Sequence, residues 1–355
     1  MSDFLNNSYR SKWMESEGPN CEIVISSRVR LARNIEGISF PHQLSTEEAK
    51  DMVEKVGKAI ENKSTLLVGQ LRSFSLNKES LVDQQILMEK HLVSPNFLKQ
   101  DIPKAFIVND DDSVSIMVNE EDHLRIQCLL PGLQLEKALE MANQLDDCLE
   151  QTLNYAFNEE LGYLTTCPTN VGTGLRASVM LHLPGLVLTG QHNRALATLS
   201  QIGLTVRGIY GEGTDAKGNL FQISNQITLG TDEKEIINNL EVVTKKIIEQ
   251  EEQARKLLVK EGNESIADKV FRALGLLTHA RVISSNEAIS LLSDVRLGID
   301  IGYITDVDRK TLTELMVLIS PGYLQKVADQ ELTVGDRDIR RAVVIREKLG
   351  NTTKE

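Results

Sequence analysis

An α+β fold is predicted for the first two thirds of this chain, a mainly antiparallel sheet flanked by helices, with an all-helical region after it. Three observations predict this. Short runs of β-formers alternate with amphipathic helical stretches from about residue 20 to residue 230. The links between these runs mostly suit hairpins and meanders, which favours antiparallel pairing. After Gly230 the strand pattern stops and only helical spacing continues.

Along the chain, the strand-like runs are Ser113 to Val118, His123 to Leu130, Leu175 to Leu183, Leu204 to Tyr210 and Leu220 to Gln226. An amphipathic helix is expected from Thr46 to about Asn62, with Ser45 as its cap. A second runs from Leu135 to about Phe157, with Ala138, Met141, Leu145, Leu149 and Leu153 on one face. Asp232 followed by Glu235 reads as a capping-box-like start to a long helix. Its Ile236, Leu240, Val243, Ile247, Ala254 and Leu257 keep helical spacing to about Lys260, and Gly262 ends it. Further helices are expected over about Ser265 to Gly275, Ser285 to Leu297, Arg309 to Ile319 and Asp336 to Leu349, punctuated by glycines and Pro321. The chain thus divides into a short N-terminal segment (1–20), an α+β domain (21–230) and a helical domain (231–355).

Composition narrows the function classes. With 355 residues the chain can bury a substantial core, and its 25% charged and 41% hydrophobic residues are ordinary for a globular protein. The net charge of −12 and the lack of a long basic run argue against a nucleic-acid partner. Cys21, Cys128, Cys148 and Cys167 show neither CxxC nor Cys/His spacing, so no disulfide framework, zinc site or other protein-held metal is expected. No apolar run reaches membrane-spanning length and the first 18 residues lack an apolar leader, so a cytoplasmic location with no membrane partner is expected.

Two runs carry chemistry. Cys167-Pro168-Thr169-Asn170-Val171-Gly172-Thr173-Gly174-Leu175-Arg176-Ala177 suits a rigid loop that holds a thiolate and a guanidinium at fixed positions. Asn119-Glu120-Glu121-Asp122-His123-Leu124-Arg125 stacks three carboxylates beside a strand. By itself that cluster reads as a solvated turn. Arg125, Arg176 and Arg207 each interrupt an apolar strand, an uncommon place for a solubilising arginine. Arg28 and Arg30, in Ser26-Ser27-Arg28-Val29-Arg30, point the same way if that run is extended. No Walker A run is present, since the glycine-rich stretch Gly211 to Gly218 lacks the Gly-Lys-Ser/Thr ending.

Together the CPTN-V-GT and NEEDHLR strings resemble the guanidino-phosphotransferases, the family of creatine and arginine kinases, over roughly Cys21 to Gly230. The resemblance implies ATP as co-substrate, with Mg²⁺ held by its phosphates and water. It implies that Glu121 is the catalytic base, that Glu212 in Arg207-Gly208-Ile209-Tyr210-Gly211-Glu212 is the second carboxylate, and that Cys167 polarises a non-reacting guanidinium nitrogen. Arg28, Arg30, Arg125, Arg176 and Arg207 would bind the phosphates, and His91 the adenine side. This fits the chemistry. Complete proton transfer from a guanidinium (pKa above ~12) to a carboxylate (about 4) would cost roughly 11 kcal/mol, so the carboxylates should orient the acceptor and take its proton late. Arginine's planar fork suits the clamping of phosphate oxygens.

Three departures point within the family. Only about 20 residues precede the SSRVR run, where small-molecule kinases carry about a hundred helical ones, so an acceptor side open to protein side chains is expected. Met180 replaces a family histidine, which alters nucleotide contacts, and Gly213 stands where histidine is common. With the helical tail, these features are similar to the bacterial protein arginine kinases. That group phosphorylates arginines on proteins, marks them for a Clp AAA+ unfoldase and protease, and has stress-response repressors among its targets. The similarity also implies an activator protein and a homodimer or higher homo-oligomer. In Asp336-Arg337-Asp338-Ile339-Arg340-Arg341-Ala342, the arginines at i, i+3 and i+4 share a helix face near its N-terminus, where an anion is welcome. The run resembles that group's phosphoarginine-binding regulatory site, which implies the role for Arg337, Asp338, Arg340 and Arg341; ion pairing with Asp336, Asp338 or Glu347 is the alternative. Two other functions stay open: a small-molecule guanidino kinase, and a non-catalytic phosphoarginine-binding adaptor.

Overall fold

The computed structural model describes residues 10–61, 69–99, 102–208, 216–261, 263–328 and 330–350. In chain order the elements begin with β1 (Val24–Arg33), α1 (Thr46–Glu61), β2 (Leu71–Ser75), α2 (Leu81–Glu89), β3 (Ala105–Asn109), β4 (Val114–Val118), β5 (Leu124–Pro131) and α3 (Leu135–Glu150). A two-stranded hairpin follows, β6 (Phe157–Asn158) and β7 (Gly162–Tyr163), then β8 (Leu175–His182), α4 (Pro184–Leu188), α5 (His192–Ala197), β9 (Leu204–Gly208) and β10 (Leu220–Asn225). Helices complete the chain: α6 (Glu233–Glu261), α7 (Asn263–His279), α8 (Ser285–Asp300), α9 (Arg309–Leu318), α10 (Pro321–Ala328) and α11 (Val334–Gly350).

Among the described residues the sheet has eight strands in the order β2-β3-β4-β5-β1-β8-β10-β9, and every pairing is antiparallel. Alternation gives it two unlike faces. Val29, Leu31, Ile126, Cys128, Ala177, Val179, Phe221 and Ile223 point into the main core, where α1, α3 and α6 cover them. Each such aliphatic side chain contributes about 1.5–3 kcal/mol by leaving water. The opposite face is divided. Over β3 and β4, Phe106, Val108 and Met117 pack on α2 and the segment after it. Over β5, β1, β8 and β9 the same face carries arginines that line a cavity.

Local signals set the helix boundaries. Ser45 and Glu48 form a reciprocal capping box at α1, the Glu48 amide donating to Ser45 Oγ (3.3 Å) and the Ser45 amide to Glu48 Oε2 (2.8 Å). Asp232 accepts from the Glu235 amide (2.7 Å) as α6 begins. Some expectations shift. The helix from Leu135 ends at Glu150, because the chain turns at Thr152 and enters the β6–β7 hairpin. Pro321 opens α10 rather than punctuating a loop, and the last helix starts at Val334 rather than Asp336, with Thr333 accepting from the Asp336 amide (3.2 Å). Gly262 and the run 209–215 lie outside the described residues.

The long helix α6 joins the first core. Ile236, Leu240, Ile247 and Ala254 of α6 belong to the core under the sheet, while the second core begins at Ile266 and closes with Ile345 and Leu349. The long helix therefore packs mainly with the α+β region, with Leu258 near its end against the second core. The N-terminal segment is not peripheral either. Trp13 and Met14 are buried against Leu129 and Met180 of the sheet and Met316 and Val317 of α9, joining the two regions.

Candidate active site

Register builds the site. Arg30 of β1 lies opposite Arg176 of β8 and Gln127 of β5, Arg28 lies opposite Ser178, Ala32 opposite Arg125, and Arg207 of β9 opposite Gln222 of β10. Since all these residues share one face, the five arginines meet above five adjoining strands without further design. They line one cavity of about 780 Å³ together with His91, Glu120, Glu121, Cys167, Met180 and Gln222. Every predicted transfer-site residue is therefore brought together except Glu212, which lies outside the described residues.

The cavity is short of negative charge. Arg28 Nε donates to Ser178 Oγ (3.3 Å) and its Nη2 to Gln222 Oε1 (3.0 Å), both neutral acceptors. Among the described residues, Arg30 Nε and Arg176 Nε are buried with no hydrogen-bond partner. Desolvation and the neighbouring guanidiniums push the Arg28 pKa down to about 10, and lower those of Arg30 and Arg176. A bound polyanion would relieve both penalties at once.

Arg125 carries the link to the acidic end. Its Nη1 lies 2.8 Å from Glu120 Oε2 and its Nη2 lies 3.2 Å from Glu121 Oε2. Glu120 is buried and also accepts from Ser94 Oγ. Glu121 keeps 42% of its side chain exposed, and partial burial raises its pKa despite Arg125. Asp122 is fully buried, so a solvated turn does not describe this run. Its Oδ1 accepts from Asn34 Nδ2 (2.7 Å) and from the Thr166 amide (2.7 Å), tying the acidic loop to the cysteine loop. His123 is structural: Nδ1 accepts from the Ile35 amide (3.0 Å), leaving Nε2–H to donate to Ser39 O (2.8 Å).

Cys167 precedes a single 3₁₀ turn, Pro168–Asn170, and its Sγ lies 3.0 Å from Thr169 Oγ1. Thr228 Oγ1 donates to Thr169 O (2.9 Å) and Val171 O (2.7 Å), anchoring the loop from behind. Gly172 has φ +111°, and a β-carbon there would sit 2.2 Å from Thr228 O, so only glycine permits this approach. At the other end, His91 adopts φ +60°. The Leu92 amide reaches back to Leu87 O (3.0 Å) and the His91 amide to Met88 O (3.0 Å), so His91 holds a helix-terminating position that normally favours glycine. Its ring is tilted on Trp13 (5.3 Å between centroids), and burial with Arg28 nearby lowers its pKa to about 4, keeping it neutral. Met180 adds an apolar wall beside it.

Sequence reasoning missed Ser94, Ser178, Gln222 and Ser320 among the lining residues. Ser178 was within reach, two positions after Arg176 on the same strand face. The remaining three depend on long-range register and docking.

The tail cluster lies apart from this cavity. Arg341 is buried, its Nε donating to Ile319 O (3.0 Å) and its Nη1 to Ile283 O (3.0 Å) and Asp338. Its guanidinium is thus committed to the fold. Arg337 Nη1 donates to Leu332 O (2.9 Å), and Arg340 is half-buried with Nε unpartnered among the described residues.

A cationic cleft ending in a carboxylate and a cysteine defines a phosphoryl-transfer enzyme that acts on a cationic acceptor. Residues 51–254 match the family model described as ATP:guanido phosphotransferase, C-terminal catalytic domain, and residues 263–355 match that of the Protein-arginine kinase McsB C-terminal domain. The chain is 53% identical over 356 residues to the Protein-arginine kinase of Desulforamulus reducens, covering 100% of this chain and 99% of that one. It is also 53% identical over 352 residues to the Protein-arginine kinase of Pelotomaculum thermopropionicum, with 99% of each chain covered. Among solved structures, a lombricine kinase superposes with a TM-score of 0.58 at 25% identity, covering 68% of this chain and 71% of that one. The duplicated taurocyamine kinase of Schistosoma mansoni with bound transition state analog components gives a TM-score of 0.57 at 25% identity, covering 70% of this chain and 36% of that one. The chain belongs to the ATP:guanido phosphotransferase family and, within it, to the protein-arginine kinases.

Proposed function

We propose that this enzyme transfers the γ-phosphoryl group of ATP to the guanidinium of arginine side chains in proteins. The observation that carries the reading is the single cavity in which five arginines face Glu121 and Cys167, in a chain about half identical over its full length to protein-arginine kinases. The arginines hold the polyphosphate by forked hydrogen bonds and spread its charge. Glu121 and Cys167 fix the acceptor so that one guanidinium nitrogen lies in line with the γ-phosphorus. As that N–P bond forms and the P–O bond to the β-phosphate breaks, the nitrogen's acidity rises and its proton passes to Glu121. The raised Glu121 pKa narrows the proton-transfer gap. Among the described residues no group of three His, Cys, Asp or Glu could hold a metal ion. Mg²⁺ would therefore arrive on the ATP phosphates and neutralise their charge.

On the family resemblance, we take the products to be marks for a Clp-type protease, with stress-response repressors among the targets and an activator protein and a homo-oligomer as working context. The tail would read phosphoarginine through Arg337, Arg340 and Asp338, with Arg341 as their support. The buried, unpartnered Nε of Arg340 supports that reading. Calorimetry of free phosphoarginine against Arg337→Ala with Asp338→Ala, in a Glu121→Ala background, should show binding lost; undiminished binding would place the anion site elsewhere.

The main experiment is incubation with ATP·Mg and a protein substrate, followed by mass spectrometry for acid-labile phosphate on arginine. Phosphorylation of free arginine alone would make this a small-molecule kinase. Phosphoarginine binding without transfer would make it a reader.

A further inference from the structure

The nucleotide end of the cavity is built from two regions of the molecule. Met88, Glu89, His91 and Val93 follow from the end of α2, while Ser320 comes from the helical region, immediately before α10. Glu89 joins them. Its Oε1 accepts from the Gly322 amide (2.8 Å), its Oε2 from the Tyr323 amide (3.2 Å), and Gln85 Nε2 donates to Oε1 (3.0 Å). One carboxylate thus satisfies two of the free amides that open α10, across 233 residues of chain. A second strut stands one turn further along, where Lys326 Nζ lies 2.9 Å from Asp83 Oδ1. Glu89 pairs the end of α2 with the start of α10, and Asp83 pairs the start of α2 with the last turn of α10, so the helices run antiparallel.

Their approach is close. A β-carbon at Gly322 would sit 2.7 Å from Gln85 Cγ and 3.0 Å from Glu89 Oε2. The latch is also fastened from behind, since Arg341 Nε donates to Ile319 O (3.0 Å), one residue before Ser320. Two residues after Glu89, His91 holds its left-handed backbone, a conformation that persists only where the surroundings over-determine it. We infer that Glu89 is a positioning residue: by latching α10 to the end of α2, it lets the helical region set where His91 and Ser320 stand at the nucleotide end of the cavity. The inference rests on ATP occupying that end, as proposed above. Glu89 lines the cavity and acts through the peptide groups and the segment it holds.

The test is calorimetry of ATP·Mg against the full chain and three variants, with KM for ATP measured alongside. Glu89→Ala removes both acceptors and should weaken ATP binding about tenfold, within the range reported for residues that couple sites without touching ligand. Glu89→Gln keeps an acceptor oxygen and should recover most of that loss. Gly322→Ala leaves the carboxylate intact but wedges the helices apart, and should weaken binding in the same direction. The change should fall on KM for ATP and leave KM for the protein acceptor alone. ATP binding at wild-type strength in both alanine variants would overturn the inference, even if their melting temperatures fall. A wild-type protein that binds no ATP would instead overturn the functional reading itself. If Glu89→Ala fails to fold, Glu89→Gln and Gly322→Ala carry the test.

Discussion

Glu121 and Arg125 are four residues apart and 3.2 Å from each other, and their balance would set the proton chemistry proposed for the site. Burial raises the Glu121 pKa, Arg125 opposes it, and Asp122 and Glu120 add to the rise. In the proposed role of base, Glu121 works deprotonated, so activity should fail as pH drops through the raised pKa. The acid limb of kcat should therefore lie above the ordinary carboxylate value of about 4.3. A pH–rate profile with its limb at or below that value would contradict the assignment. Glu121→Ala should lower kcat by about 10²–10⁴-fold while ATP binding persists, because the proposed role places the residue on the acceptor side; a variant keeping a third of wild-type turnover would refute the role. For Cys167, whose Sγ lies 3.0 Å from Thr169 Oγ1, the proposed role is polarisation. Cys167→Ser should slow the reaction without abolishing it, and a trapped phosphocysteine would point to a two-step mechanism instead.

At the scale of elements, the site depends on how the acidic and cysteine loops are tied. Asp122 Oδ1 accepts from both Asn34 and the Thr166 amide at 2.7 Å, so one atom holds the end of β1, the turn before β5 and the approach to Cys167 together. Asp122→Ala should cost about 1.5–3 kcal/mol in denaturant stability and slow transfer by the order of 10²-fold through misplacement. Asp122→Asn keeps a carbonyl acceptor and should recover part of both; equal rates in all three proteins would reduce Asp122 to simple packing. Much of this was legible in the sequence. Arg28 and Arg30 announce a shared strand face by their spacing, and the cysteine and NEED runs announce their loops. What was not legible has physical causes. Gln222 joins Arg28 only through the β10–β8–β1 register, a long-range property that no local run encodes. Helix α2 hides because Leu81 is 83% exposed while Asp83 is buried by its pairing with Lys326, the reverse of the usual pattern. The period of α6 predicts an apolar face but not which core will cover it.

The whole molecule is held at a junction between the two cores that is both apolar and ionic. Trp13 and Met14 meet Met316 and Val317, while Arg255 bridges Glu251 (2.7 Å) and Asp300 (3.1 Å), and Arg309 reaches the same Asp300 (2.5 Å). Arg296 Nη2 donates to Cys21 O (2.9 Å) and its Nη1 to Thr313 Oγ1 (3.0 Å), crossing between the regions. His182 sits among these cations. Its Nε2 lies 2.8 Å from Ser293 Oγ, and Nδ1 is buried with no hydrogen-bond partner among the described residues. Burial first, then Arg296 and Arg255, hold its pKa well below the ordinary value. The sign follows from linkage. Above about pH 6.5 histidine is neutral in both states and costs nothing; below it the unfolded chain takes up a proton that the folded chain refuses. Stability should therefore fall on acidification, by about 1.4 kcal/mol from this one group at pH 5.5. Buried carboxylates with raised pKa values, such as Asp112 and Asp294, contribute in the opposite direction, as their folded forms accept protons first. Comparison with His182→Gln cancels their shared contribution, since the amide can still meet Ser293 but does not titrate. The stability gap between wild type and variant should shift by about 1.4 kcal/mol in the variant's favour between pH 7.5 and 5.5 in urea unfolding. A gap that stays constant over that range would mean His182 is protonated equally in both states, and that the junction feels no such acid load.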